Sequence, residues 1–124
     1  MARTAQFRAG APRRRARPEG EFNDRIRREA RKLGWLTYHT RRSKGSEPGW
    51  PDVVLCHPRT GWLIVAELKA TPKDKPTEPQ EAWIHALCNA GIDVYVWNPE
   101  HERYIMDLLI EGATNARKTD VLAD

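Results

Sequence analysis

Residues 48–69 read PGWPDVVLCHPRTGWLIVAELK, with two apolar runs on either side of a short polar segment. The first run follows Asp52, and the second ends in Glu67-Leu68-Lys69. Both have the length and the β-branched content that are typical of strands. The segment between them contains Pro58-Arg59-Thr60-Gly61, and Pro and Gly are typical turn residues. The stretch therefore predicts two neighbouring antiparallel strands joined by a hairpin turn.

Charged side chains stand at one end of this predicted hairpin. Asp52 begins the first strand and Glu67 and Lys69 end the second, so the antiparallel pairing brings them to the same edge. Because side chains alternate along a strand, Glu67 and Lys69 point the same way. The second strand is apolar on both faces, which is typical of a strand that is buried on both. Since a buried charge must be paired or must coordinate a metal, we expect a functional site here.

The combination of Asp52, Glu67 and Lys69 favours a particular chemistry. Carboxylates that converge within a few ångströms do not all stay ionised without a cation between them. A hard ion such as Mg²⁺ prefers oxygen ligands, polarises a phosphodiester and lowers the pKa of a bound water. A lysine beside it can orient or deprotonate the attacking water, or offset the charge that grows on the phosphate. The alternative is structural: Asp52 caps a turn, and Glu67 and Lys69 form a surface ion pair.

The rest of the chain predicts helices and two more strands around the hairpin. A helix is predicted over residues 19–33, a strand over 35–39, a helix after a Thr77–Gln80 capping box, a strand over 92–97 and a helix over 100–111. The order is α-β-β-β-α-β-α, an α/β fold. The side chains expected to face inward are Phe22, Ile26, Ala30 and Leu33 on the first helix, Trp83, Ile84, Leu87 and Cys88 on the second, and Tyr104, Ile105, Leu108 and Leu109 on the last.

Charge and length suggest one domain with a basic leader. Residues 1–20 contain six arginines against one glutamate, and the whole chain of 124 residues has a net charge of +4. We therefore expect a disordered arm at residues 1–18, a domain at 19–112 and a polar tail at 113–124. No apolar run suits a membrane span or a signal peptide, so a soluble cytoplasmic protein without membrane partners is expected. The arm suits a polyanion such as DNA, although it could also be a solubilising or cloning-derived tail.

The sequence resembles the PD-(D/E)xK nuclease superfamily and, within it, the small stand-alone VRR-NUC (virus-type replication-repair nuclease) proteins. The resemblance covers roughly residues 19–112. It rests on Pro48-Gly49, Pro51-Asp52, Glu67-Leu68-Lys69 and Gln80, and extends outward to Glu19, Phe22, Ile26 and Ala30, to Gly34-Trp35 and Tyr38-His39-Thr40, and to Val94-Tyr95-Val96-Trp97. The implied fold is the restriction-endonuclease-like core, a mixed β-sheet flanked by helices.

This resemblance also implies roles for individual residues. Asp52, Glu67 and the backbone carbonyl of Leu68 would hold Mg²⁺, for which Mn²⁺ could substitute, and Lys69 would act near the nucleophilic water. Gln80 would line the site, although its capping-box role is an equal possibility. Glu19, on the inward face of the first helix, would complete the metal site, with Glu21 as the fallback; either acid could instead only match the helix dipole.

Three functions follow as expectations. The first is a Mg²⁺-dependent, structure-selective DNA endonuclease, a homodimer that cleaves Holliday junctions or other branched DNA in replication, repair or recombination and needs no small-molecule cofactor. The second is a sequence-specific restriction-type endonuclease, for which 124 residues leave few base-reading insertions. The third is a non-catalytic nucleic-acid-binding module. In each case the expected DNA contacts are Arg13, Arg14, Arg15, His39, Arg41, Arg42 and Lys44, although His39 could instead be a satisfied strand histidine and the loop after it an ordinary solvated connection.

Overall fold

The computed structural model describes residues 18–41 and 47–116. It contains helix α1 (Pro18–Lys32), strands β1 (Leu36–His39), β2 (Val53–Cys56) and β3 (Leu63–Leu68), helix α2 (Glu78–Asn89), strand β4 (Asp93–Trp97), a short 3₁₀ helix (Pro99–His101) and helix α3 (Glu102–Thr114). This order of helices and strands confirms the predicted α-β-β-β-α-β-α arrangement. The basic arm, apart from its last residue, and most of the predicted polar tail lie outside the described residues.

The strands form one mixed sheet in the order β1-β2-β3-β4. β1, β2 and β3 pair antiparallel in succession, and β4 joins β3 in parallel after a crossover through α2. The predicted hairpin turn is present, since the His57 N–H donates to the Trp62 carbonyl at 2.8 Å and the Gly61 N–H donates to the His57 carbonyl at 2.9 Å. The ends of β3 and β4, the end of β1 and the start of β2 consequently lie at the same edge of the sheet.

One face of the sheet is covered by α1 and α3, and the core lies between them. The apolar stripe of α1 repeats every four residues, and Phe22, Ile26 and Ala30 are fully buried, as the sequence predicted. Ile105 and Leu109 of α3 are buried beside them. Tyr104, which was also expected to face inward, is 54% exposed, so that prediction was wrong; Ile105, Leu108 and Leu109 suffice to fill the space above the sheet.

The opposite face of the sheet is covered only in part. Here α2 packs against β4, yet α2 has no buried residue. Cys88, predicted to face inward on α2, is exposed, so that prediction was wrong; the helix packs against the single edge strand β4, which covers only a narrow part of it. On the same sheet face, Leu36 and Tyr38 of β1 are 62% and 60% exposed.

Burial of β3 is complete at its acidic end. Ile64 to Leu68 are all buried, which confirms that this strand is covered on both faces although it carries a glutamate.

Among the helices of residues 18–41 and 47–116, none combines the length and the apolarity that a membrane crossing needs.

Candidate active site

Asp52 stands at the start of β2, directly opposite Glu67 in the antiparallel register. Val53 pairs with Ala66, so the residue before Val53 faces the residue after Ala66. The Asp52 carboxylate accepts a hydrogen bond from the Leu68 backbone N–H at 2.8 Å. That bond takes the place of a strand–strand bond just before β2 begins, and it fixes the carboxylate at the end of β3.

Lys69 links Glu67 to helix α2. Its Nζ atom lies 3.4 Å from Oε2 of Glu67 and donates a hydrogen bond of 2.9 Å to Oε1 of Gln80. Glu67 and Lys69 thus project from the same side of the strand, as the period of two predicts. Side chains from three separate segments, β2, β3 and α2, meet at this point.

Gln80 forms the capping box that the sequence predicted, and it also contacts Lys69. Its Oε1 accepts from the Thr77 backbone N–H at 2.8 Å, and Thr77 in turn accepts from the Gln80 N–H, which completes the capping box of α2. The same Oε1 atom accepts from Lys69. The helix cap therefore also positions the lysine, because one carbonyl oxygen serves both donors.

The loop before Asp52 is pressed against the start of α2. Gly49 has a φ of +88°, and a Cβ at this position would lie 2.4 Å from the carbonyl carbon and oxygen of Pro79. No other residue could adopt this conformation in this space without moving the loop or the helix. Gly49 thereby sets the distance between Asp52 and Gln80, which explains the Pro-Gly approach to the acid.

The electrostatics of the site centre on Glu67, which is only 2% exposed. Burial, followed by the neighbouring charge of Asp52, raises the pKa of Glu67 to about 7, against the opposing effect of Lys69. Its Oε1 atom is buried without a hydrogen-bond partner. Leaving a buried acceptor unpaired costs about 1–3 kcal/mol, more when it is charged, so a ligand bound to this oxygen would be stabilising.

The donor set suits a hard divalent cation. No group of three or more His, Cys, Asp or Glu side chains in the described ranges could hold a metal, so Asp52 and Glu67 form a pair of carboxylates only. Mg²⁺ is commonly held by one or two carboxylates, with waters and substrate phosphate completing its shell. Asp52, the unpartnered oxygen of Glu67 and the carbonyl of Leu68 at the end of β3 meet that requirement.

The remaining predicted site residues are placed differently. Glu19 lies in the first turn of α1, at the same end of the molecule, but its side chain is outside the described part of the structure. Glu21 is exposed and acts electrostatically on Arg25, which is paired with Glu102. No contact of Glu21 in the described residues links it to Asp52, Glu67 or Lys69.

His39 ends β1, beside the start of β2, and Arg41 follows it with an exposed side chain. Partial burial, then the positive charges of Arg27, Arg41 and Arg31, lower the pKa of His39. Arg27 and Arg31 of α1 therefore lie near His39, and Arg27 is paired with Asp24 at 2.8 Å. They were not among the predicted DNA contacts, although their spacing of four residues places them on one face of the helix. Five other expected DNA contacts lie outside the described residues: Arg13, Arg14, Arg15, Arg42 and Lys44.

Two tryptophans beside the site were not predicted from the sequence to lie there. Trp50, two residues before Asp52, contacts Trp83 of α2 with ring centroids 4.9 Å apart and planes at 85°. Their pairing depends on how the loop packs on the helix, so no local pattern in the sequence reveals it.

Comparison with known proteins agrees with this architecture. The family model of the VRR-NUC domain matches residues 19–106. A solved structure described as "VRR_NUC domain" is similar to this chain with a TM-score of 0.62 and 26% identity, over 77% of this chain and 97% of the other. A search of curated proteins gave no match. The match extends over most of the chain and includes Asp52, Glu67, Lys69 and Gln80, so the chain belongs to the VRR-NUC family of nuclease domains, with its restriction-endonuclease-like fold.

Proposed function

We propose that this protein is a metal-dependent DNA endonuclease that hydrolyses phosphodiester bonds with Mg²⁺, or with Mn²⁺ in its place. The observation that carries the proposal is the buried carboxylate of Glu67, with one oxygen unpartnered, opposite Asp52 and beside Lys69. The unpartnered oxygen can bind a ligand, and the chain belongs to a nuclease family.

Each residue of the site has its own role in the proposed hydrolysis. When bound, the metal supplies Lewis-acid polarisation of the phosphodiester and a more acidic water. Asp52 and Glu67 hold negative charge at the end of the sheet, where that cation would sit. Lys69, kept in place by Gln80 at 2.9 Å, directs its ammonium toward the water or toward the charge that develops on the phosphate. Attack of the water oxygen on phosphorus forms one P–O bond and breaks another. The water gives up a proton to solvent, and the leaving sugar oxygen takes one up from solvent.

The test is a cleavage panel with matched variants. Purified protein is incubated with Mg²⁺, Mn²⁺ or EDTA and with labelled four-way junction, flap, single-stranded and linear duplex DNA. We expect metal-dependent cleavage that Asp52→Ala and Glu67→Ala abolish while DNA binding persists, and that Thr114→Val, on the exposed surface of α3, leaves unchanged. Full activity of either acid variant would refute the site.

We further propose selectivity for branched DNA, in the service of replication, repair or recombination. The same panel decides it: cleavage of junction or flap DNA alone supports this proposal. Cuts at one short sequence in linear duplex would instead indicate a restriction-type enzyme. Binding without cleavage in any metal would indicate a non-catalytic module.

We also propose that the protein is a homodimer. The partly covered sheet face supports this, because Leu36 and Tyr38 lie side by side there and each is more than half exposed in the described part of the chain. Tyr38→Lys should lower the sedimenting mass to that of a monomer, whereas Tyr104→Lys, at a similarly exposed site on α3, should not. A monomeric wild-type protein at micromolar concentration would contradict the proposal.

We propose that the arginine-rich arm binds DNA through its phosphates, without preference for a base sequence. Deletion of residues 1–17 should weaken binding and reduce its salt dependence, since each phosphate contact releases counterions. An identical slope of binding against salt would exclude the arm from the contact.

A further inference from the structure

Trp50 and Trp83 form an aromatic pair on the surface beside the acidic site. Their rings meet edge to face, with centroids 4.9 Å apart, and both side chains are half-buried. Neither is part of the core that α1 and α3 cover. Such aromatic faces at a surface are available to a flat ligand as well as to each other.

This pair is fixed close to the cleavage site by the backbone. Trp50 is two residues from Asp52, which places their Cα atoms within roughly 7 Å of each other. Trp83 follows Gln80 by three residues, about 4.5 Å along the axis of α2. The close packing of Gly49 on Pro79 holds the two segments together, so the rings cannot separate from the site without moving Asp52 or Gln80.

A depression of about 230 Å³ adjoins the pair, lined by Ala82, Trp83 and Ala86. The two alanines are one helical turn apart and have short side chains, which leaves the flank of the Trp83 indole open. The lining carries no charge. The volume is below the roughly 300–1,000 Å³ of pockets for drug-sized ligands, and it suits a single aromatic ring system.

The position of the tryptophan pair, two residues from Asp52 and one helical turn from Gln80, indicates which flat ligand it receives. Any nucleotide whose phosphate lies at Asp52 and Glu67 carries its base within one residue of that phosphate. The exposed loop between β3 and α2 adds Lys73 and Lys75 for neighbouring phosphates. A base that is paired and stacked in a duplex cannot reach a surface indole, whereas an unpaired base can.

We propose that Trp83, held in place by Trp50, stacks an unpaired nucleobase next to the scissile phosphate. The enzyme then prefers DNA that has an unpaired base at the cut. This inference rests on the proposed nuclease function and deepens it, since it gives a physical origin for preference toward branched or distorted DNA.

The test compares two substrates and two readouts. Two duplexes are compared, one with an unpaired 2-aminopurine at the cut and one with the same base paired. Each is titrated with full-length protein in EDTA, and kcat/KM is measured on both with Mg²⁺. We expect the protein to quench the fluorescence of the unpaired 2-aminopurine and not that of the paired one. Trp83→Leu should lower affinity and kcat/KM about tenfold for the unpaired substrate and much less for the paired one, within the range of base–aromatic stacking. Trp83→Phe should retain most of the preference, and Trp62→Phe, at the opposite end of the sheet, all of it.

A second variant guards against a folding defect in Trp83→Leu. Ala86 is exposed on α2, so Ala86→Leu fills the depression without disturbing the tryptophan pair. It should reduce the preference for the unpaired substrate in the same way. If both variants reduce activity equally on the two substrates, or alter only the sedimenting mass, the inference is overturned. If wild-type protein cleaves no DNA but still quenches the unpaired base, the nuclease proposal fails and the base site stands.

Discussion

The two ends of the sheet differ in how completely their polar groups are hydrogen-bonded. At the hairpin end, residues 57–62, side chains cap the carbonyls that end α3: Thr60 donates to Gly112 at 2.6 Å, Arg59 to Ala113 at 2.8 Å and Trp62 to Asn115 at 2.8 Å. His57 donates from Nε2 to the Leu33 carbonyl at 2.9 Å, so its Nδ1 is the acceptor for the Arg59 N–H. The last carbonyls of a helix need such partners, and here they have them.

The acidic end, formed by Asp52, Glu67, Lys69 and Gln80, is left incomplete. Within residues 18–41 and 47–116, the buried side-chain atoms without a hydrogen-bond partner are Oε1 of Glu67 and Nε1 of Trp97. Both belong to this end, because Trp97 pairs with Leu68 and its carbonyl accepts from the Lys69 N–H. Trp97 packs with Leu68 in the core, so of these two atoms it is the Glu67 oxygen that lies on the side of Lys69 and Gln80, where a ligand is expected.

The largest effect is expected from Glu67→Gln, which should abolish cleavage and also change the pH dependence of stability. The pKa of Glu67 is raised to about 7 in the folded protein from 4.5, so the folded state binds more protons between these values. Stability from this group is full below pH 4.5 and is lost as pH rises through about 7, on the order of 3 kcal/mol in all.

Urea unfolding in EDTA from pH 5 to pH 8 measures this difference. The wild type should lose stability relative to Glu67→Gln as the pH rises, and added Mg²⁺ at pH 8 should stabilise the wild type more than the variant. If the stabilities of the wild type and Glu67→Gln change in parallel with pH and respond equally to Mg²⁺, then Glu67 neither has a raised pKa nor binds the cation.

Gly49→Ala should come next, because its Cβ would lie 2.4 Å from the Pro79 backbone and would push Asp52 away from Gln80. We expect a loss of cleavage of about 10²-fold, typical of misplacement by an ångström. Gly91→Ala is the matched control: Gly91 has a φ of +90° but nothing within 4 Å, so it adds backbone strain without a clash. Equal cleavage by the two variants would show that the loop does not set the site.

Gly112→Ala tests the hairpin end, since its Cβ would approach Cζ2 of Trp35 to 2.6 Å. Overpacking of this kind should lower the free energy of unfolding by about 1–3 kcal/mol and leave kcat unchanged at permissive temperature. Gly20→Ala, with open space around it in α1, should be neutral or stabilising. A fall in kcat for the folded Gly112→Ala protein would show that the hairpin end and the acidic end are coupled.

The smallest effect is expected from Thr60→Val, which removes the hydrogen bond to the Gly112 carbonyl and should cost about 1 kcal/mol of stability. Thr114→Val loses a bond to the Ile110 carbonyl at an exposed site and should cost less. Thermal unfolding of both variants measures the difference. If the two variants lose similar stability, burial does not strengthen the hydrogen bond between Thr60 and Gly112.

Several features of the acidic end were predictable because they depend on local rules. Strand alternation placed Glu67 and Lys69 on one side, the turn residues set the hairpin, and the Thr77–Gln80 spacing gave the helix cap. The burial of Glu67 also followed from a strand that is apolar on both faces. In each case the residues involved are neighbours in sequence or across one hairpin.

The errors fall where contacts depend on distant segments. The exposure of Cys88 and Tyr104 depends on which layers cover α2 and α3, and an apolar stripe does not say how wide the covering layer is. The bond from Trp35 to the Leu109 carbonyl spans 74 residues, and no periodicity anticipates it.

By itself, then, the sequence determined the order of helices and strands, the hairpin and the meeting of Asp52 with Glu67, since backbone periodicity and turn chemistry act over a few residues. Only the tertiary structure decided that Gln80 reaches Lys69, that Trp50 rests on Trp83 and that one oxygen of Glu67 stays unpartnered. Those outcomes depend on how a loop and a helix pack at the sheet edge, and packing is a property of the surrounding chain as a whole.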